Sequence, residues 1–229
     1  MNAKAILDLF LESGQELFDK GKGIADDKLG VPKDPEGKES MLSGAGKGAL
    51  AAGALAMLLG TGAGRKLTGA TVKLGSLAAI SGVAYKAYGK WQSQQSGAAI
   101  EPGEPVSKLS GNAMEKRAIS LLKAMIASAK ADGHIDDSER ANIKDQIDKL
   151  GLDSDAIVFL QDELKKPLDI KSVAAGADSP EAAAEIYLVS RMVIDLDNEQ
   201  ERAYLKELAE ALSLAPELVA QLESDITSG

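Results

Sequence analysis

ERANIKDQIDKLGL, Glu139 to Leu152, lies over ERAYLKELAEALSL, Glu201 to Leu214, when the chain is slid by 62 residues, and about ten of the paired positions agree in identity or kind. An acidic turn stands before each copy: ADGHIDDSE, Ala131 to Glu139, and the one-residue-shorter IDLDNEQE, Ile194 to Glu201. A helix-turn-helix duplicated about a pseudo-twofold axis would bring the two turns into related positions. Upstream of the first turn, Ile119, Leu122, Met125, Ile126 and Ala129 form one apolar face of a helix over Ala113 to Ala131. Further helices are expected near Asp137 to Leu150, Ser154 to Lys165, Ile170 to Ala175, Pro180 to Ile194, Glu199 to Leu212 and Pro216 to Ile226, with Ser179 and Pro180 as an N-cap and first-turn pair. With only 3% aromatic residues and abundant Ala, Leu, Lys, Glu and Gln, the composition favours helices over strands. The expected fold class is all-α, with a helical bundle over 112–229 carrying the duplication.

Charge is unevenly spread. Residues 1–110 hold 13 basic and 11 acidic side chains, whereas 111–229 hold 13 and 24, so the net −9 arises in the C-terminal half. No global basic patch for nucleic acid exists. The absence of cysteine removes disulfides, thiolate nucleophiles and Cys-type zinc sites, and the single histidine, His134, removes a histidine cluster. GAGKGALAAG, Gly44 to Gly53, lacks the GxxxxGK[ST] pattern of a phosphate-binding loop. A metal-dependent hydrolase built on paired carboxylates is chemically allowed, but no substrate-binding motif supports it. The expectation is a protein that is not an enzyme.

Toward the N-terminus, Ile6, Leu7, Phe10, Leu17 and Phe18 make an amphipathic helix over 1–20, and the acids within it exclude a secretory signal peptide. Residues 21–40, with Pro32 and Pro35, read as a linker. Residues 41–91 contain no Asp or Glu and many glycines. The 17 uncharged residues between Lys47 and Arg65 would form a helix about 26 Å long, close to the thickness of bilayer hydrocarbon. A second, shorter uncharged run covers Leu74 to Tyr85, so a Gly/Ala-rich helical membrane hairpin is expected. Gly44, Gly48, Gly53, Gly60 and Gly64 would pack its helices closely, and Tyr85, Lys86, Tyr88, Lys90 and Trp91 would rest at the membrane interface. The stretch 92–111, rich in Gln, Ser, Gly and Pro, is expected to be a flexible linker.

The acidic turns invite a cation. DGHIDDSE follows the order of the second half of an EF-hand loop, but Ser128 and Lys130 stand where two further carboxylates belong. A weaker site would combine Asp132, Asp136 and Glu139 with Asp195, Asp197 and Glu201, since hard cations want clustered oxygens. The competing reading makes these residues helix caps and first-turn acids favoured by the helix dipole.

The turn Asp-Gly-x-Ile-x-x-x-Glu at Asp132 to Glu139, after LLKAMIASAKA, together with VIDLDNEQERAYLKELAEAL, resembles the TerB-like domain of tellurite-resistance proteins. With the Gly-rich segment ahead of it, the layout is similar to that of uncharacterised bacterial inner-membrane proteins of the YebE type. The resemblance implies a helical bundle with metal-binding acidic turns and a role in envelope or metal/oxyanion stress; Asp132 and Glu139 match it well, Asp195 and Glu201 on a shorter turn. The functional expectation is a membrane-anchored binding protein at the bacterial inner membrane, its C-terminal domain cytoplasmic. Its partners would be membrane lipids and an unidentified protein, and its one candidate cofactor is a divalent cation, Ca²⁺ or Mg²⁺. The alternative is a soluble homo-oligomer packed through its Gly-rich helices.

Overall fold

In the computed structural model the structure describes residues 1–11, 76–95, 101–131, 144, 147–148, 152–194 and 199–228. The helices are α1 (3–11), α2 (Leu77–Ser93), α3 (Gly111–Ala129), α4 (Ser154–Lys165), α5 (Ile170–Ala174), α6 (Pro180–Val193), α7 (Glu199–Ala211) and α8 (Pro216–Ser228), with a 3-10 turn at Val106–Lys108. No strand occurs among the described residues, so the all-α class holds.

The centre of the bundle is α6. Its sequence PEAAAEIYLVSRMV is apolar around most of its circumference, and 12 of its 14 residues are buried, as a helix surrounded by neighbours requires. It runs along α3 and α2 and touches α7. Ser179 caps it as its sequence predicts, the side chain accepting the Ala182 N–H at 3.1 Å, with Pro180 in the first turn. Asp153 caps α4 and Asp169 caps α5 in the same way. The helices expected at Ser154, Ile170, Glu199 and Pro216 begin at those residues. Of the helix expected over Asp137 to Leu150, only residues 144, 147 and 148 are described, and Ile147 is buried.

The second half of the expected membrane hairpin is part of this core. Leu77, Ile80, Ser81, Ala84, Ala87 and Tyr88 form the buried stripe of α2, which packs on α6 and α8. Gly82, Tyr85, Lys86, Gly89 and Lys90 face outward. The run is apolar enough to suggest lipid, but its small residues instead let α2 settle closely on two protein helices. Among the described residues no helix is long and apolar enough to cross a membrane. The first half of the hairpin, with Gly44, Gly48, Gly53, Gly60 and Gly64, lies outside the described residues, as does the linker expected at 21–40.

The apolar face of the amphipathic helix α1 is buried in the same core through Ala3, Ile6, Leu7, Phe10 and Leu11; Leu17 and Phe18 lie outside the described residues. Asn2 caps the helix, the Ala3 N–H donates to Glu115 Oε1 at 2.6 Å, and the N-terminal ammonium stands 3.5 Å from Asp155. In place of a flexible linker, residues 101–110 form a strap across the bundle. Val106 is fully buried, the Glu181 N–H donates to the Pro102 carbonyl at 2.8 Å, and Gly103 passes so close that a Cβ there would sit 2.5 Å from Ser179 Cβ. Three prolyl and glycyl residues that signal mobility in a sequence here shape a tight crossing whose polar backbone groups find partners on α6.

Candidate functional site

Of the six acidic residues expected to hold a cation, Asp132, Asp136, Glu139, Asp195 and Asp197 lie outside the described residues, as does His134. Glu201 is described: it sits in the first turn of α7 and is buried, with 3% of its surface exposed. The flanks of the two turns do meet. The Ser128 hydroxyl, near the end of α3, contacts Tyr204 Oη at 3.4 Å, one turn beyond Glu201 on α7. Ser128 also donates to the Ala124 carbonyl, and the Lys130 ammonium donates to the carbonyls of Glu163 and Lys166 at 2.9 Å each. Lys130 thus closes the C-terminal end of α4, where a cation is favoured. Among the described residues no group of three or more His, Cys, Asp or Glu is placed to hold a metal ion.

Of the expected interface residues, Tyr85 is exposed, with the Lys108 ammonium 5.9 Å from its ring centre, and Lys86 and Lys90 are exposed. Tyr88 and Trp91 turn inward instead, their rings 5.5 Å apart and tilted by 52°. Tyr88 is 3% exposed, so its ring packs against protein.

The most concentrated chemistry lies where α2, α3, α6 and the strap converge. Arg117 of α3 and Glu185 of α6 are both buried, and Arg117 Nη1 donates to Glu185 Oε2 at 2.5 Å. The other guanidinium nitrogen reaches Asp178 Oδ1. Glu185 Oε1 accepts from the Val106 N–H at 2.7 Å and from the Ser81 hydroxyl at 3.1 Å, while Ser81 accepts from the Ser107 N–H. One carboxylate therefore joins α2, α3, α6 and the strap. Burial pushes the Glu185 carboxyl upward, and the Val106 N–H, Arg117 and Ser81 pull it back.

One turn before it on α6 lies Glu181, with no surface exposed and no hydrogen-bond partner for either carboxylate oxygen among the described residues. Burial, reinforced by the charge of Glu185 and offset by Arg117, raises its carboxyl to about 7. Charge already present in the cluster is −1, from Arg117 against Glu185 and Asp178, so ionising Glu181 adds a second uncompensated negative charge in a poorly hydrated place. The arrangement can take up and release a proton near neutral pH.

Reading the chain alone missed this centre. Arg117 looks like one of many helix-surface cations, and the partners are 68 residues apart along the chain. The available signal was EAAAEIYLV, Glu181 to Val189: two carboxylates four residues apart inside a run otherwise apolar on every face.

An all-helical protein organised around a buried ionic centre is what fold and site define. The chain belongs to the family described as "Protein of unknown function (DUF533)", which it matches over residues 44–226. That span takes in α2, the strap and the helices from α3 to α8, and leaves out α1, which the core also contains. A curated protein of Yersinia enterocolitica described as "Uncharacterized protein in ampR 5'region" is similar: it is 32% identical over 113 residues, 49% of this chain and 81% of that protein. No solved structure matches the chain.

Proposed function

We propose that this protein is a non-enzymatic helical module of the TerB-like kind that binds a divalent cation, Ca²⁺ or Mg²⁺, through its acidic turns and presents the ordered turns to a protein partner. The observation that supports the reading most is the Ser128 to Tyr204 contact, which joins the helix entering the first acidic turn to the helix leaving the second. Acidic turns adjoining such a junction along the chain would suit a hard cation, and the excess of acid in 111–229 raises the local cation concentration. The family's TerB-like character is consistent with this use of the turns. Attachment to a bacterial inner membrane, and a setting of envelope or metal/oxyanion stress, complete the proposal; they rest on the uncharged run at 48–64 and on the resemblance in layout.

The test is calorimetry on the full chain with Ca²⁺, Mg²⁺, Mn²⁺ and Zn²⁺, beside an Asp132→Ala/Glu139→Ala variant. Saturable heat lost in the variant supports the proposal. Absence of heat with all four ions, or heat that survives in the variant, removes the cation and leaves the acids as helix caps.

A further inference from the structure

A cavity of about 480 Å³ opens between the C-terminal end of α2, the start of α6 and the turn joining α7 to α8. This is the size of a small-molecule site. Its walls are mostly apolar, with Ala183 and Leu218 among them, and Tyr88 and Trp91 supply aromatic surface. Among the described residues Asp178 is the one charged residue that lines it, with 62% of its side chain exposed. No lysine or arginine lines the cavity among the described residues, and Arg117, which pairs with Asp178, is buried on the core side.

The local charge supports one class of ligand. Asp178 and Glu185 share a single guanidinium, which leaves an excess negative charge behind the cavity mouth. Aromatic faces add attraction for a cation that has shed part of its water, whereas a carboxylate or phosphate would meet Asp178 with no cationic side chain among the described lining residues to offset the repulsion. An apolar floor under one anionic residue selects a ligand that carries both an apolar group and a positive charge. The lining also includes Ser213, held at φ 56° in the left-handed region, where a residue other than glycine costs about 1 kcal/mol. Its neighbour closes the end of α7, with the Leu214 N–H donating to the Ala209 carbonyl at 3.0 Å, so this wall is a hydrogen-bonded turn.

We propose that this cavity binds a small organic amine with an apolar body, its ammonium directed to Asp178 and its apolar part against Trp91 and Leu218. None of the described residues lining the cavity belongs to either acidic turn, and the proposal stands or falls independently of cation binding there.

Trp91 is the only tryptophan of the chain and lines the cavity, so its fluorescence reports occupancy directly. The full chain is titrated with phenethylamine, with phenethyl alcohol as neutral isostere and 3-phenylpropionate as anion. The expected result is a saturable change with the amine at least about tenfold tighter than with the alcohol, no response to the anion, and loss of the amine preference in Asp178→Asn. Ala183→Leu, which fills the cavity while keeping the carboxylate, is expected to abolish the response altogether, and it decides the matter if Asp178→Asn fails to fold by circular dichroism. Equal response to amine and alcohol, retention of the preference in Asp178→Asn, an undiminished response in folded Ala183→Leu, or no saturable change at all would overturn the proposal.

Discussion

Glu181→Gln should change the pH dependence of stability more than stability itself. The native carboxyl titrates at about 7 against an ordinary value of 4.5. At roughly 1.4 kcal/mol per pH unit, that gap amounts to about 3 kcal/mol once the group is ionised, and about half of that where water screens the charge. The sign follows from proton binding. Between pH 4.5 and about 7 the native state holds a proton that the unfolded chain has released, so the contribution of Glu181 is fully present below pH 4.5 and is lost as pH rises through 7. Glutamine cannot ionise; its buried amide adds a constant offset that does not vary with pH. Urea denaturation of the full chain, followed by circular dichroism from pH 4.5 to 8.5, isolates the effect in the difference between variant and wild type. That difference should move in favour of the variant by about 1.5 to 3 kcal/mol across the range, with most of the change complete near pH 7.5. Two curves that run parallel through the whole range would refute the assignment of a proton-binding carboxyl to Glu181.

Two further outcomes test the architecture. A fragment of residues 112–229 lacks α2 and the strap, and so loses the burial of Leu77, Ile80, Ala84, Ala87, Tyr88 and Val106. The forfeited burial is about 5 to 8 kcal/mol, comparable with the whole stability of a typical domain, so the fragment should melt without a cooperative transition; a sharp calorimetric peak would show that the C-terminal helices fold alone. Gly103→Ala should destabilise the full chain by about 2 to 4 kcal/mol in urea titrations, because φ there is 93° and the new Cβ meets Ser179; an unchanged midpoint would show that the strap yields.

The legible part of this protein was local. Helix limits were readable because caps and breakers act within one turn: Ser179 and Pro180 start α6, and Asp153 and Asp169 start α4 and α5, each through a side chain that reaches an N–H three residues on. The candidate site was legible only as a list of acids. Glu201 and its neighbours along the chain are visible in any reading, but their distances in space are not a property of chain spacing. The ionic centre was illegible for the same reason: Ser81 and Glu185, which share a hydrogen bond, are 104 residues apart.

The helical class, the helix boundaries and the acidity of the C-terminal half follow from the sequence by itself, because propensity, capping and charge are set by residues within a few positions of one another. Only the tertiary structure decided that α1 and α2 belong to the core and that the stretch after α2 is a strap. An Ala- and Gly-rich apolar stripe satisfies lipid and protein equally well, and a proline-rich segment is mobile or tight according to what it crosses. Which one it is depends on the complementary surface, here α6 and its buried glutamates, and that surface is assembled only when distant parts of the chain meet.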